Sequence, residues 1–160
     1  MTIVVLGLSC SGKSTFSNKL GKVLNLKVFH LDSYYWKAPW IADETFNIND
    51  FIKKENAIID GNYFNYAFKE RLDYCDLIIY IDCNIFLRIF RMIKRHIIFC
   101  LNPKKKNAIS QKINIHFIFT TIYKQIYLQP KILQYLKVNY HKKFIYIKNI
   151  RSIHMEDKNV

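Results

Sequence analysis

Eight residues near the amino end, Gly7-Leu8-Ser9-Cys10-Ser11-Gly12-Lys13-Ser14, constrain the fold of this chain more than any other stretch. They follow directly on Ile3 to Leu6, a fully apolar run rich in β-branched residues, as expected of a strand buried on both faces of a parallel sheet. Behind them, Thr15 to Leu24 reads as a helix with Phe16, Leu20, Val23 and Leu24 on its apolar side. Glycine, four residues, then Gly-Lys-Ser between a strand and a helix is a loop shaped to wrap phosphate. Gly7 and Gly12 let the backbone turn tightly and bring successive N–H groups toward one anion. The helix that follows aims its N-terminal dipole at the same place.

These residues make ATP–Mg²⁺ the expected ligand. Gly7, Ser9, Cys10, Ser11, Gly12, Lys13, Ser14 and Thr15 would hold the triphosphate, with Lys13 on the β- and γ-phosphates and the Ser14 hydroxyl on Mg²⁺. Cys10 is open to two readings, a small residue that suits the loop or a thiol acidified by nearby amides.

Further along, strands are expected at Lys27 to Leu31, Ala57 to Ile59, Leu77 to Ile81 and Phe144 to Ile147, and helices at Asp43 to Lys54, Ile85 to Ile98, Ile113 to Leu128 and Pro130 to Leu136. Asn102-Pro103 should break the helix before it, leaving Lys104 to Lys106 as a loop. The tail after Asn149 is polar and expected to be flexible. Strands alternating with helices imply an α/β domain with a parallel sheet. No repeat or linker divides the chain, so residues 1–160 are expected to form one domain.

Three acids follow strands. Asp82 closes Leu77-Ile78-Ile79-Tyr80-Ile81 and is the expected metal carboxylate beside Ser14; capping of the next helix is the alternative. Asp32 follows His30-Leu31 and is the expected acceptor-side carboxylate, where it would orient or deprotonate a hydroxyl. Asp60 precedes Gly61-Asn62-Tyr63 and reads either as a site acid or as a turn residue. In a parallel sheet, strand ends converge on one crevice, which is where ligands bind.

Arg88, Arg91 and Arg95 share a helix face at i, i+3 and i+7, and they are three of only five arginines among 25 basic residues. Guanidinium groups clamp phosphate, so Arg91 and Arg95 above all are candidates to stabilise the transferred group; a solvated basic face is the alternative. Tyr34-Tyr35-Trp36 with Pro39-Trp40 could wall an acceptor pocket or pack in the core.

Composition narrows the setting. The formal charge is +13, and no Asp or Glu lies between Asp82 and Glu156. That basic half could attract nucleic acid. A coding bias toward Ile, Lys, Asn, Tyr and Phe is the favoured explanation, because no nucleic-acid motif accompanies the charge. Cys10, Cys75, Cys83 and Cys100 form no disulfide pattern, the amino end is expected to carry no signal peptide, and charges interrupt the long apolar stretches Ile78 to Leu101 and Ile113 to Leu128. A cytoplasmic protein with no membrane partner is the expectation.

With these residues quoted, the sequence resembles the adenylate-kinase-related P-loop kinases known as DNA topology modulation proteins. The resemblance rests on the phosphate loop, on His30-Leu31-Asp32 with Tyr35-Trp36 and Trp40, on Ile59-Asp60-Gly61-Asn62-Tyr63, and on the strand ending at Asp82 with its arginine helix. It covers most of residues 1–95 closely and residues 113–147 loosely. It implies a three-layer P-loop NTPase fold with a five-stranded parallel sheet, similar to nucleoside monophosphate kinases, and a short lid near 101–112. It further implies ATP as donor and an acceptor bound near Asp32, Tyr35, Trp36, Asp60, Gly61, Asn62 and Arg88. The chain departs from monophosphate kinases in having no arginine close behind Asp60-Gly61; Arg71 is the nearest. Two functions follow as candidates: phosphoryl transfer from ATP to a small acceptor such as a nucleotide, or a nucleotide-dependent, nucleic-acid-associated regulator.

Overall fold

A parallel sheet is required by the apolar runs, since residues buried on both faces need helices on both sides. The computed structural model describes residues 1–38, 41–52, 54–64, 67–101 and 115–148. Its elements in chain order are β1 (Thr2–Leu6), α1 (Lys13–Leu24), β2 (Lys27–His30), α2 (Leu31–Tyr35), β3 (Trp36–Ala38), β4 (Ile41–Ala42), α3 (Asn49–Ile52), β5 (Ala57–Asp60), α4 (Phe68–Tyr74), β6 (Leu77–Asp82), α5 (Ile85–Leu101), α6 (Ile115–Tyr123), a five-residue π-helical stretch (Lys124–Leu128), α7 (Gln129–Asn139) and β7 (Phe144–Lys148). Five strands form one sheet in the order β2-β5-β1-β6-β7, all parallel. β3 and β4 form a small antiparallel hairpin apart from it.

Strand parity divides the core into two layers. Val4, Leu6, Ile59, Ile78 and Tyr80 face one side, against Leu72 of α4, Phe51 of α3 and Ile132 and Leu136 of α7. Ile3, Val5, Ile58, Ile79 and Ile81 face the other, against Phe16 and Leu20 of α1. This is the three-layer α/β arrangement expected from the sequence. Every β1 side chain is buried, at 8% exposure or less.

The local departures have local causes. Val23 and Leu24 are exposed, because α1 faces the sheet through Phe16, Ser17, Leu20 and Gly21. The helix expected at Asp43 to Lys54 shrinks to Asn49–Ile52, since Asp43 and Asn47 side chains take up backbone N–H groups at Thr45 and Asn49. Helices α2 and α4 were not legible, being only 5 and 7 residues long. Leu31 belongs to α2 and not to the preceding strand. The helix expected to run to Leu128 widens into the π-helical stretch, which sets Gln125 toward Arg88. No described helix is long and apolar enough to cross a membrane. The lid expected near 101–112 lies outside the described residues except for Leu101, and so do Pro39, Trp40 and the tail from 149 onward.

Candidate functional site

All five parallel strands point their C-terminal ends at one edge, and β1 sits between β5 and β6 there. The phosphate loop fills the space beyond β1. Gly7 has φ 144°, and a Cβ there would lie 2.3 Å from the Ile81 carbonyl oxygen, so β1 leaves the sheet against β6 only as glycine. Cys10 (φ 61°) and Gly12 (φ 99°, N-cap of α1) are left-handed, the alternation that curls backbone amides into an anion-binding nest.

Three side chains hold this loop from outside. Asn62, just past β5, grips Gly7 on both sides: its Oδ1 accepts from the Gly7 N–H at 3.1 Å, and its Nδ2 donates to the Gly7 carbonyl at 2.8 Å. Arg88 Nε donates to the Ser9 carbonyl at 2.8 Å, while its Nη1 reaches Gln125 Oε1. Arg91 Nη1 lies 3.1 Å from both the Cys10 and the Ser11 carbonyl oxygens. In a trans peptide the C=O and N–H point opposite ways. Three successive carbonyls drawn toward the arginines therefore turn the following amides away from them. Within the loop, the Leu8 carbonyl accepts from the Ser11 N–H at 3.2 Å and from Lys13 Nζ at 3.4 Å. Ser14 and Thr15 are exposed in the first turn of α1.

The arginine stripe therefore divides. Arg88 is 1% exposed, with a pKa lowered chiefly by burial, and belongs to the loop's support and not to an open phosphate clamp. Arg91 is half-buried and anchors the loop. Arg95, one turn further, is exposed. Asn62, expected near the acceptor, is likewise engaged on Gly7.

The acids also divide, by sheet face. Asp82 follows the parity of Ile78 and Tyr80, on the side away from α1. Its Oδ2 accepts from Tyr146 OH at 2.5 Å, its Oδ1 from the Cys83 N–H at 2.8 Å, and the Tyr146 ring stacks on Tyr80. Burial pushes the Asp82 carboxyl up, yet hydrogen bonds from Tyr146, Gln129, the Cys83 amide and Gln125 outweigh it and hold the pKa below the usual carboxylate value. Asp82, expected as the metal carboxylate beside Ser14, is thus engaged by Tyr146 and the Cys83 N–H.

Asp60 follows the parity of Ile58, on the α1 side, and is 4% exposed. Its Oδ2 lies 2.8 Å from His30 Nδ1, and its Oδ1 is buried without a hydrogen-bond partner among the described residues. His30 Nε2 in turn lies 2.9 Å from Asn18 Oδ1 on α1. The hydrogen bond to Asp60 raises the His30 pKa, opposed by burial and helped by the charges of Asp60 and Asp32. Asp60 is thus bound to a side chain of the neighbouring strand and does more than the local bonding of a turn residue.

Asp32 is exposed in α2 and accepts from Tyr63 OH at 2.8 Å. Burial, with Asp32 beside it, pushes the Tyr63 phenol far up. Tyr35 contacts Trp36, Phe46 and Tyr63 at ring separations of 4.6, 5.3 and 5.0 Å, so this aromatic group packs upon itself beside Asp32. Gly61 (φ 153°) lets the chain cross Leu31, whose Cβ would lie 2.9 Å from an added side chain.

One residue of consequence escaped the sequence reading. Arg71 of α4 is 1% exposed and donates to three consecutive carbonyls, Gly61 at 3.1 Å, Asn62 at 2.5 Å and Tyr63 at 3.1 Å. Burial lowers its pKa to about 10. The sequence named it only as the nearest arginine behind Asp60-Gly61; the structure makes it the staple of the Asn62 turn.

No cluster of three metal-ligating His, Cys, Asp or Glu side chains exists among the described residues. Mg²⁺ does not need one, because it is held by one or two protein oxygens together with phosphate oxygens and water. The unpartnered Asp60 Oδ1, on the same side of the sheet as α1, suits such a cation.

The fold and the loop together define a class: the chain has the three-layer fold of the P-loop kinases. Deoxyadenosine kinase from M. mycoides with bound dCTP matches it at TM-score 0.50 and 15% identity, covering 94% of this chain and 93% of that one. The same enzyme with bound dATP matches at 0.48 and 17%, covering 92% and 91%. Shikimate kinase from Aquifex aeolicus vf5 matches at 0.44 and 21%, covering 84% and 99%. No family model and no curated protein matches the chain.

Proposed function

We propose that this protein is an ATP- and Mg²⁺-dependent phosphotransferase acting on a small hydroxyl- or phosphate-bearing acceptor. The observation that carries the reading is Asp60: a buried carboxylate with one oxygen lacking a hydrogen-bond partner among the described residues, on the sheet face of α1, beside a phosphate loop held by Asn62, Arg88 and Arg91. In this reading the loop amides and Lys13 hold the triphosphate. Ser14 and Asp60 hold the cation, with Asp60 in the role first expected of Asp82. A cation held there would supply positive charge to offset the negative charge that develops during transfer. Asp32 faces the acceptor, where a carboxylate orients a hydroxyl and accepts its proton. Arg95, exposed on α5, is the arginine left to meet the transferred group. Membership of the topology modulation family rests on the residues quoted for it, and cytoplasmic location on the same sequence reading.

An ADP-release assay over nucleosides, nucleoside monophosphates and hydroxylated metabolites tests the proposal. Transfer to at least one acceptor is expected, with Lys13→Ala abolishing nucleotide binding or turnover. ATP binding with no transfer across the panel would sink the enzyme claim, and turnover retained in Lys13→Ala would remove the loop from it. The alternative, a nucleic-acid-associated regulator, draws on the acid-free interval between Asp82 and Glu156; specific DNA binding with a steep salt slope would favour it.

A further inference from the structure

The proposed Mg²⁺ role of Asp60 raises the question of what fixes its carboxylate, since the terminal torsion of an aspartate is broad. Loop side chains do not: Asn62 is on Gly7, and Arg71 is on backbone carbonyls. The answer lies one strand over. His30 and Asp60 are register partners in parallel strands β2 and β5, so their side chains leave the same face of the sheet side by side.

We propose that His30 is the positioning residue of the Asp60 carboxylate, holding Oδ2 through Nδ1 while Asn18 holds the other ring nitrogen, so that Oδ1 is left for the cation. The inference rests on the reading in which Asp60 is the metal carboxylate. An ionised carboxylate only accepts, so the 2.8 Å contact places a proton on Nδ1 whatever the state of Nε2. Asn18 meets Nε2 at 2.9 Å, and its amide can donate or accept by turning over. The ring is therefore held at both nitrogens, one from β5 and one from α1. α1 is also the helix that carries Lys13 and Ser14. The chain Asn18–His30–Asp60 thus ties the metal carboxylate to the helix that presents the metal's hydroxyl. This is the outer-shell arrangement that sets ligand orientation in metal sites.

The test reads nucleotide binding and not turnover. A non-hydrolysable ATP analogue is titrated by calorimetry into wild type, His30→Ala, His30→Asn, His30→Gln and Asp60→Asn, with and without graded MgCl₂. Asparagine puts an amide donor where Nδ1 stood, whereas glutamine reaches toward the Nε2 position. Loss of an outer-shell partner typically weakens metal binding about 10–100-fold. His30→Ala and His30→Gln should raise the half-saturating Mg²⁺ concentration by at least about tenfold, with Mg²⁺-free nucleotide affinity within about twofold of wild type. His30→Asn should stay within about threefold.

A His30 that merely packs would lower both affinities together, and that result overturns the proposal. An unchanged Mg²⁺ requirement in His30→Gln does the same, and glutamine covers the case in which alanine fails to fold. If wild type needs Mg²⁺ and Asp60→Asn needs it identically, the metal role of Asp60 falls and this inference with it. If Asp60→Asn loses the requirement while the His30 variants keep it, the inference alone falls.

Discussion

Asn62→Ala removes the two hydrogen bonds that clamp Gly7, at 3.1 and 2.8 Å, and leaves a buried glycine's N–H and C=O without those partners. Each such bond contributes about 0.5–1.5 kcal/mol net, so the loss should be about 2–3 kcal/mol once the incomplete solvation of Gly7 is included. For a domain of this size that corresponds to a fall in Tm of about 4–12 °C. Urea unfolding and a thermal scan measure it. Nucleotide affinity should fall as well, by about tenfold or more, because a loop that samples other shapes binds in proportion to its competent fraction. Asn62→Asp sharpens the test. It keeps an acceptor for the Gly7 N–H but sets a second carboxylate oxygen against the Gly7 carbonyl, so near neutral pH it should do at least as much harm as alanine. If both variants unfold within about 0.5 kcal/mol of wild type and bind nucleotide normally, the clamp is not what shapes the loop. A rise in acceptor KM alone, with stability and nucleotide affinity intact, would restore the acceptor role read from the sequence.

Gly7→Ala should abolish nucleotide binding, since its Cβ would sit 2.3 Å from the Ile81 carbonyl oxygen; binding within about twofold of wild type would contradict the loop geometry. Arg88→Lys keeps the charge but cannot donate both to Ser9 and to Gln125, so urea unfolding should show a loss of about 1–3 kcal/mol. Tyr146→Phe should destabilise the protein near neutral pH and weaken its acid sensitivity. The Asp82 carboxyl is held below its ordinary 3.8, so its contribution is present above that value and lost as pH falls through the lowered one. The Tm gap between wild type and Tyr146→Phe should therefore close as pH drops below about 4; a constant gap down to pH 2 would contradict the assignment.

The legible part of the fold was the part governed by long apolar patterns. β1, β5 and β6 stand out because each is buried on both faces, and α5 because its 17 residues sustain a helical period. The stretch from Leu31 to Ile52 was misread because its elements are 2 to 5 residues long and owe their form to contacts made elsewhere. Tyr35 belongs to α2, yet its ring is held by Phe46 and Tyr63, far along the chain. Patterns within one window carry no record of such partners.

The division is sharpest at the site. Gly7 to Ser14 was determined by the sequence alone, because strand, glycine loop and helix follow one another without interruption and their chemistry is local. Which acid we propose to join them rests on tertiary structure. Asp60 and Asp82 both end apolar strands, and nothing in either run ranks one above the other. The strand order and the alternation of side chains do: Asp60 emerges on the face of α1 beside His30, and Asp82 on the opposite face under Tyr146. The arginines divide for the same reason. Helical spacing places Arg88, Arg91 and Arg95 on one stripe, but only the approach of α5 to the loop makes two of them its outer support and leaves the third to solvent.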